Sequence, residues 1–313
     1  MLKIYKTDNQ TICEKDQIEE GAWIELINPT MEECQKIAQT YDIDITDIRA
    51  ALDNEESSRV ESEEGCTLIL VDIPLSKNGY STATYITIPL GILLTQEAII
   101  TVCTKETPIL QNFKEGKVKD FSTKKKMRFV YQMFLQTVSL YQNNLRIIDK
   151  NRTAIEGRVM GNTKDVDLID LHGLESTLVY FATSLRANDA VLDRLSRYSW
   201  LKQYPQDQDL LGDAIVENRQ AIEMALIYRD ILKGTRELLS SIISDHMNNV
   251  MKYLTSITFV MAIPTVISGL YGMNVSDHWV PFAKTPYGFE IITLLILVIC
   301  IITLFIFHKR KML

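Results

Sequence analysis

The pattern of polar and apolar positions changes sharply near the end of the chain. Between Tyr253 and Tyr271 there is no Asp, Glu, Lys, Arg or His, and between Phe289 and Phe307 only Glu290 interrupts a similar run. A helix over either run is about 28 Å long, close to the ~30 Å hydrocarbon thickness of a bilayer. The pattern therefore predicts two transmembrane helices, in preference to two buried helices of a soluble protein.

The residues before these apolar runs divide into a mixed part and a helical part. Up to about residue 120, short apolar stretches alternate with polar turns, which is typical of a small sheet with helices packed on it. From Lys124 to Gly157, and again over Val166–Trp200, apolar residues recur at helical spacing. Asp207–Tyr271 contains no strong breaker except Pro264, which a membrane segment tolerates, so one long helix is predicted there.

The predicted fold class is α+β: a cytosolic α/β domain with a small sheet, a long helical hairpin, a stalk helix and two transmembrane helices. The predicted segments are the α/β domain over 1–120, the hairpin over 121–206, the stalk and first span over 207–271, an outer loop over 272–288, the second span over 289–307 and a basic tail over 308–313. The Lys124-Lys125-Lys126 run is interpreted as a solvated helix start and not as a ligand site.

Local signals place the elements of the α/β domain. Thr30-Met31-Glu32-Glu33 has the spacing of a capping box and should open a helix that reaches Gln39, and Asp42–Leu52 should form a second short helix. The predicted strands are Trp23–Ile27, Thr67–Ile73, Ser81–Leu90, Ile92–Thr95 and Ala98–Cys103, with Pro74, Asn78-Gly79 and Gln96-Glu97 as the breaks between them.

Composition excludes several classes of function. The net charge of −7 gives no reason to expect a nucleic-acid partner. Five scattered cysteines without a C-x-x-C pair indicate reduced thiols and no zinc site. No Walker lysine motif, H-E-x-x-H or G-x-G-x-x-G occurs. The first ten residues lack the apolar segment of a signal peptide, so none is predicted. These features argue against an enzyme.

The distribution of basic residues predicts the orientation in the membrane. Lys252 stands at the start of the first apolar run, and the second run is followed by His308-Lys309-Arg310-Lys311. The loop between the runs, 272–288, is poor in basic residues. By the positive-inside tendency, both termini are predicted to be cytoplasmic and the loop to lie outside.

One face of the first predicted span differs from the others. Residues at alternating steps of three and four are small or polar and stay within about a 100° sector of a helix. They are Asn248, Met251, Thr255, Thr258, Ala262, Thr265 and Gly269. Spacing alone leaves two interpretations open, a face for close helix packing in lipid or the lining of a pore. Two spans cannot enclose a water-filled path, so a pore requires an oligomer.

The outer end of this face carries the triplet Gly272-Met273-Asn274. With this triplet between two terminal spans, the chain resembles the CorA family of magnesium channels, whose signature is Gly-Met-Asn at this position. The resemblance extends over Asn248–Thr255, Ile263-Pro264-Thr265 and Gly269-Leu270-Tyr271, through the stalk around Tyr228-Arg229-Asp230 and Gly234, to Asp53–Glu61 in the α/β domain.

The resemblance implies a homopentameric funnel in a bacterial-type inner membrane that carries Mg²⁺. Asn274 would form the outer selectivity ring, with Gly272 and Met273 shaping the turn that presents it. The path inward would be lined by Thr265, Ala262, Thr258, Leu254, Met251 and Asn248, with Leu254 and Met251 as the hydrophobic gate. Its partners would be further copies of the chain, divalent cations and membrane lipid, and no nucleic acid.

The resemblance also implies regulation by intracellular Mg²⁺ bound between cytosolic domains. Asp213 falls at the family's stalk position, and Asp72 is the nearest acid to the matching stretch of the α/β domain. An ordinary solvated aspartate is the simpler interpretation of Asp72. Zn²⁺, Co²⁺ or Ni²⁺ as cargo remains an alternative, and a membrane-tethered enzyme or signalling protein is a more distant one.

Overall fold

The structure is a computed structural model of the chain, and it describes residues 1–8, 11–63, 65–77, 84–159, 165–197, 205–274, 281–282 and 285–310. The chain divides into two compact units, the first from Met1 to Arg236 and the second from Glu237 onward. Helix α6 contributes residues to both units.

The described residues form seven strands and seven helices. The strands are β1 (Leu2–Asp8), β2 (Thr11–Lys15), β3 (Trp23–Ile27), β4 (Val60–Glu63), β5 (Cys66–Lys77), β6 (Thr84–Thr95) and β7 (Ile99–Cys103). The helices are α1 (Met31–Tyr41), α2 (Ile45–Ala50), α3 (Pro108–Lys114), α4 (Lys126–Val159), α5 (Asp165–Arg197), α6 (Pro205–Tyr271) and α7 (Gly288–Lys309).

All seven strands belong to one sheet in the order β2-β1-β3-β7-β6-β5-β4, antiparallel except for the β3–β7 pair. One face packs on α1 and α2 through residues such as Ile37 and Ile48. The other face is covered by α3 to α6, where Trp23 lies 5.1 Å from Phe129, centroid to centroid, and 6.5 Å from Phe113. The sheet is thus buried on both faces, which explains its continuous apolar strands.

Several local predictions are confirmed. Thr30 caps α1 as the capping box predicts: its hydroxyl accepts from the Glu33 backbone N–H at 3.2 Å, and the Glu33 carboxylate accepts from the Thr30 N–H at 2.9 Å. Strand Trp23–Ile27 is present with the predicted bounds. Helix α6 is continuous from Pro205, whose fixed φ suits a first helical position, to Tyr271, and Pro264 lies within it.

The predicted strand breaks at Pro74 and between Leu90 and Ile92 are wrong. Strand β5 continues through Pro74 to Lys77, and β6 is one strand through Pro89 and Gly91. The N–H of Leu70 in β5 points away from β6 and donates to Arg59 O at 2.8 Å. Pro74 lies an even number of residues after Leu70, and Pro89 is paired with Asp72, so the nitrogen of each proline also points out of the β5–β6 pair. A proline at such a position removes no hydrogen bond between β5 and β6. The predicted turn at residues 78–79 lies outside the described residues.

The interpretation of Lys124-Lys125-Lys126 as a solvated helix start is wrong for its last residue. The Lys126 ammonium donates to the backbone carbonyls of Thr95 and Gln96 at 2.7 and 2.6 Å. Burial lowers the pKa of this ammonium. Lys126 therefore ties the first turn of α4 to the β6–β7 connection, a role that the sequence pattern did not indicate.

Polar contacts fasten the first part of α6 to α4 and α5 within the first unit. Arg128 at the start of α4 binds Asp207 at the start of α6, with 2.9 Å between Nε and Oδ1, and both side chains are largely buried. Further along, the buried Asn218 amide donates to Leu185 O at 3.0 Å. These directed bonds fix the lateral position of α6 against the hairpin of α4 and α5.

The second unit contains the rest of α6 and helix α7, and both helices are long and apolar enough to cross a membrane. The rings of Phe259 and Phe307 lie 6.2 Å apart, and the Cys300 thiol lies 3.8 Å from Val260 O. Residues 275–280 and 283–284 of the predicted outer loop lie outside the described residues.

Candidate functional site

The side of α6 that contacts α7 can be read from the exposure of its residues. In the membrane-length part of α6, the buried or half-buried residues form one stripe: Ser256, Val260, Ile263, Pro264 and Ile267. On α7 the matching stripe is Ile292, Ile296, Ile299, Cys300, Thr303 and Phe307. Spacings of three and four place each stripe on one side of its helix, so the two helices pack along these stripes.

The polar face predicted from the sequence lies on the opposite side of α6. At 100° per residue its centre is about 150° from the centre of the stripe that faces α7. All seven residues of this face, Asn248, Met251, Thr255, Thr258, Ala262, Thr265 and Gly269, are exposed in the single chain, as is the neighbouring Leu254. Packing between α6 and α7 within one chain therefore does not explain why this face is small and polar.

Two hydroxyls on the polar face have a defined orientation. Thr258 donates to Leu254 O at 2.8 Å, and Thr265 donates to Met261 O at 2.9 Å. In each case the proton is committed to the backbone one turn earlier, which leaves the oxygen lone pairs as acceptors. Such oxygens can accept from the water molecules of a hydrated cation.

The end of the face nearest Asn248 forms an open groove of about 570 Å³. It is lined by Asp245, Asn248, Asn249, Met251, Lys252 and Thr255. Asp245 and Asn249 were not singled out from the sequence, although they lie three residues before and one residue after Asn248. Amide and carboxylate oxygens thus precede Met251, whose side chain is 54% exposed.

The Gly272-Met273-Asn274 triplet follows the C-terminal end of α6. The helix closes with hydrogen bonds from Gly272 N–H to Ser268 O at 2.9 Å and from Met273 N–H to Leu270 O at 3.3 Å. Neither Gly272 nor Asn274 is among the described residues with positive φ, so Asn274 is not a left-handed helix cap. A Cβ at Gly272 would meet only the carbonyl oxygens of its own preceding turn, Ser268 O at 3.3 Å and Gly269 O at 3.6 Å.

Asn274 is exposed at the end of this turn. Within the described residues, no three His, Cys, Asp or Glu side chains converge as a metal site. One chain therefore offers a cation neutral amide and hydroxyl oxygens along α6 and no cluster of charged ligands in the part that the structure describes. Such oxygens bind weakly, which suits passage better than storage.

Asp213 and Asp72 occupy different environments. Asp213 is exposed on α6. Asp72 lies in β5 and is half-buried; burial raises the pKa of its carboxyl group, while hydrogen bonds from Ser184 and Ser58 oppose that rise. Asp72 is therefore not the ordinary solvated aspartate of the simpler interpretation. No motif pointed to Ser58 or Ser184, because neighbours across 14 and 112 positions of sequence have no local signal.

The neighbours of Asp72 form a buried polar cluster. Asn188 of α5 binds both backbone groups of Asp72, and the Tyr141 hydroxyl of α4 donates to Asp72 O at 3.1 Å. Burial, with the Asp72 carboxylate as a second cause, raises the pKa of Tyr141 well above its usual value. The phenol therefore stays protonated and remains a donor.

The family described as CorA-like Mg²⁺ transporter protein matches residues 19–310. The cobalt/magnesium transport protein CorA of Methanocaldococcus jannaschii is 28% identical over 296 residues, which covers 92% of this chain and 90% of that protein. The CorA of Thermotoga maritima is 25% identical over 182 residues, which covers 58% of this chain and 51% of that protein.

Solved structures agree with the sequence relatives. The complete structure of the CorA magnesium transporter from Methanocaldococcus jannaschii superposes with a TM-score of 0.84 at 26% identity, covering 99% of this chain and 98% of that one. The full-length CmaX protein has a TM-score of 0.72 at 16% identity, which shows the shared fold alone. Because the family consists of transporters, the prediction that the chain is not an enzyme is confirmed. With its α/β sheet domain, long helices and two C-terminal membrane-length helices, the chain belongs to the CorA-like Mg²⁺ transporter family.

Proposed function

We propose that this protein conducts Mg²⁺ across a membrane, along a path lined by the polar face of α6. The observation that carries the proposal is the position of that face, about 150° from the stripe that packs on α7. A span that only anchors a domain needs no row of amides and hydroxyls on its free side. This separates a transporter from a tethered enzyme or signalling protein.

The conducting form is a homopentamer in this proposal. A single pair of spans cannot enclose water, whereas the oxygens of the exposed Thr258 and Thr265 on the free face retain lone pairs that water can use. Five α6 helices around an axis would turn these faces toward one another, with the α7 helices outside. Mass measurement of the detergent-solubilised protein should give five copies; a monomer or dimer as the sole stable species would contradict the pore.

Asn274 is the outer selectivity ring of the proposed path, on the turn formed with Gly272 and Met273. Mg²⁺ sheds its water reluctantly and requires octahedral oxygen geometry. A ring of amide oxygens can accept hydrogen bonds from the hydration shell without stripping it. Carboxylates in the same place would hold the ion more strongly, whereas conduction needs binding weak enough to release it.

Met251 and Leu254 form the proposed gate. Their side chains are 54% and 58% exposed in the single chain, and they lie about one turn apart on or beside the polar face. Converging copies would make an apolar constriction that closes by losing its water. Asn248, Thr255, Ala262 and Gly269 complete the lining on either side, with small residues where the path must stay wide.

Asp213 is the better candidate for the proposed regulatory Mg²⁺ site. It is exposed on α6 and available to a ligand shared with another copy. The Asp72 carboxyl group is already hydrogen-bonded by Ser184 and Ser58 within its own unit. A role for Asp72 would require these bonds to be exchanged for metal ligation, so we assign it the secondary position.

The proposed location is a bacterial-type inner membrane, with both termini cytoplasmic and the segment after Asn274 outside. Lys252 and the His308-Lys309-Arg310 cluster support this orientation through the positive-inside tendency. The large first unit would then face the cytosol, where intracellular Mg²⁺ can reach Asp213.

The cargo is tested by reconstitution into liposomes that contain a divalent-cation dye. The relatives named cobalt/magnesium and magnesium transport proteins support Mg²⁺ entry, with Co²⁺ as a second cargo. Entry of Mg²⁺ above protein-free vesicles is the expected result. Entry of Zn²⁺ or Ni²⁺ without Mg²⁺ would show that one of these ions is the cargo in place of Mg²⁺. If none of the four ions enters, a membrane-tethered enzyme or signalling protein is favoured.

A further inference from the structure

Basic side chains gather at one end of the two membrane-length helices. Lys252 lies on α6, and His308, Lys309 and Arg310 end α7; all four are exposed. They belong to the second unit, so their relative position does not depend on the sheet domain. The proposed path uses none of the three side chains at the end of α7, and Lys252 stands at the edge of the groove where that path begins.

The two helices run in opposite directions. The Tyr271 hydroxyl, at the end of α6, donates to Pro281 O at 3.0 Å. Phe282 O in turn lies so close to Gly288, the first residue of α7, that a Cβ there would be 2.2 Å from it. The start of α7 is therefore beside the end of α6, and the end of α7 returns toward the start of the first span.

Lys252 and the end of α7 lie at the same level. The Cys300 thiol is 3.8 Å from Val260 O, which sets the register of the two helices. Lys252 precedes Val260 by eight residues, or about 12 Å, and Arg310 follows Cys300 by ten, or about 15 Å. In antiparallel helices these distances run in the same direction, so the two cations are within about one turn of each other along the axis.

The two cations also lie beside the same seam. Arg310 is about 30° from the centre of the α7 stripe that faces α6, whereas Lys309 is about 130° away. Lys252 stands two turns before Phe259 on nearly the same side of α6. Phe259 and Phe307 pack together at 6.2 Å, so an aromatic pair lies along the same seam, about two turns from Lys252 and about one turn from Arg310.

We propose that Lys252 and Arg310 bind the phosphate of an anionic phospholipid, with an acyl chain lying along the Phe259–Phe307 seam. Charge complementarity favours this occupant, because juxtamembrane basic residues attract anionic headgroups by about 1 kcal/mol each. The apolar residues beside the seam, such as Phe259 at 58% exposure, supply the surface that an acyl chain covers. The proposal rests on the membrane insertion of α6 and α7, and not on Mg²⁺ conduction.

The test is lipid binding to the full-length protein in a neutral detergent, measured by native mass spectrometry. Phosphatidylglycerol should remain bound where phosphatidylcholine with the same acyl chains does not. Combined Lys252→Gln and Arg310→Gln substitution should weaken phosphatidylglycerol binding roughly 25-fold, from two charges at about 1 kcal/mol each. Equal retention of both lipids by the wild type would overturn the proposal.

Lys309→Gln is the matched control, since it removes the same charge from the same helix end on the side away from the seam. Its effect on phosphatidylglycerol binding should be less than a third of that of Arg310→Gln. Equal losses would show a diffuse surface charge and contradict a defined site. Displacement of the lipid by millimolar inorganic phosphate would assign the site to free phosphate and also overturn it. Mg²⁺ uptake of the same proteins is a separate measurement, so failure of one proposal leaves the other standing.

Discussion

Asn188 of α5 binds the backbone of Asp72 in β5 as a neighbouring strand would. Its Oδ1 accepts from Asp72 N–H at 2.9 Å, and its Nδ2 donates to Asp72 O at 2.9 Å. Strand β4 ends its pairing with β5 at Ile69, so Asp72 has no strand on that side. A single side chain from a helix thus satisfies the backbone N–H and C=O of Asp72 at the edge of the sheet, and it joins the sheet to the helical hairpin.

Asn188→Ala should destabilise the protein by about 1–3 kcal/mol, because it removes two hydrogen bonds from buried backbone groups. Ser58 Oγ at 3.1 Å from Asp72 N and Tyr141 Oη at 3.1 Å from Asp72 O limit the loss. The expected result is a fall of several degrees in the midpoint of thermal unfolding. The exposed Asn54→Ala is the control and should leave the midpoint unchanged; an equal midpoint for both variants would refute the edge role.

Gly91→Ala should also destabilise the protein, for a steric reason. A Cβ at Gly91 would lie 2.5 Å from the Ala51 Cβ, where β6 and the end of α2 meet. Overpacking of this kind costs about 1–3 kcal/mol. Gly157→Ala, in α4 with open space around its Cβ, is the control and should be neutral or stabilising by up to about 1 kcal/mol. Thermal unfolding of the two variants should therefore move in opposite directions or differ by several degrees.

The raised pKa of the Asp72 carboxyl group predicts that the stability of the protein depends on pH. Burial raises the pKa of its carboxyl group above the usual 3.8, so the folded state favours the protonated form. Its stabilising contribution is complete below the unfolded pKa and is lost as pH rises through the folded pKa. Asp72→Asn keeps a neutral side chain at every pH.

The difference in unfolding midpoint between Asp72→Asn and the wild type should consequently change in favour of the variant as pH rises from about 4 toward 7. The measurement is thermal unfolding in a chelator, which removes any effect of bound Mg²⁺. A difference that stays constant across this range, or that moves in favour of the wild type, would contradict the raised pKa.

The elements that the sequence predicted well are those with a local signal. The capping box at Thr30, the strand from Trp23 and the long α6 depend on spacing within one segment, which periodicity and capping chemistry report directly. The polar face of α6 was likewise visible as a spacing, although its position opposite α7 was not. That position depends on which residues of two helices meet.

The features that the sequence did not predict depend on distant contacts. Pro74 signals a strand break until the register places its missing N–H group on the outside of the β5–β6 pair. Lys126 and Asn188 are ordinary polar residues in a sequence, and only the fold brings them to Thr95 O and to Asp72. Composition and period carry no information on partners 31 or 116 residues away.

Asp213→Ala tests the proposed regulation. If Mg²⁺ bridges Asp213 to another copy and holds the path closed, the variant should keep conducting at internal Mg²⁺ concentrations that silence the wild type. The exposed position of Asp213 makes a loss of folding an unexpected outcome. Asp209→Ala, one turn earlier and also exposed on α6, is the control. Identical inhibition of the wild type and the Asp213 variant would remove Asp213 from the regulatory site.

In the proposed path, hydrated Mg²⁺ first meets the protein at Asn274, beyond the outer end of the polar face. Asn274 is exposed, so removing its amide deletes no core volume and should leave folding and assembly intact. Asn274→Asp should bind divalent cations more tightly and conduct more slowly, because a ring of carboxylates holds the ion too strongly.

The most direct measurement is dye-reported Mg²⁺ uptake into liposomes that contain Asn274→Ala, compared with wild-type protein at equal amounts and equal oligomeric mass. Uptake by the variant should fall to the level of protein-free vesicles while its oligomer remains intact. Wild-type uptake by a correctly assembled Asn274→Ala protein would contradict the proposed role of Asn274.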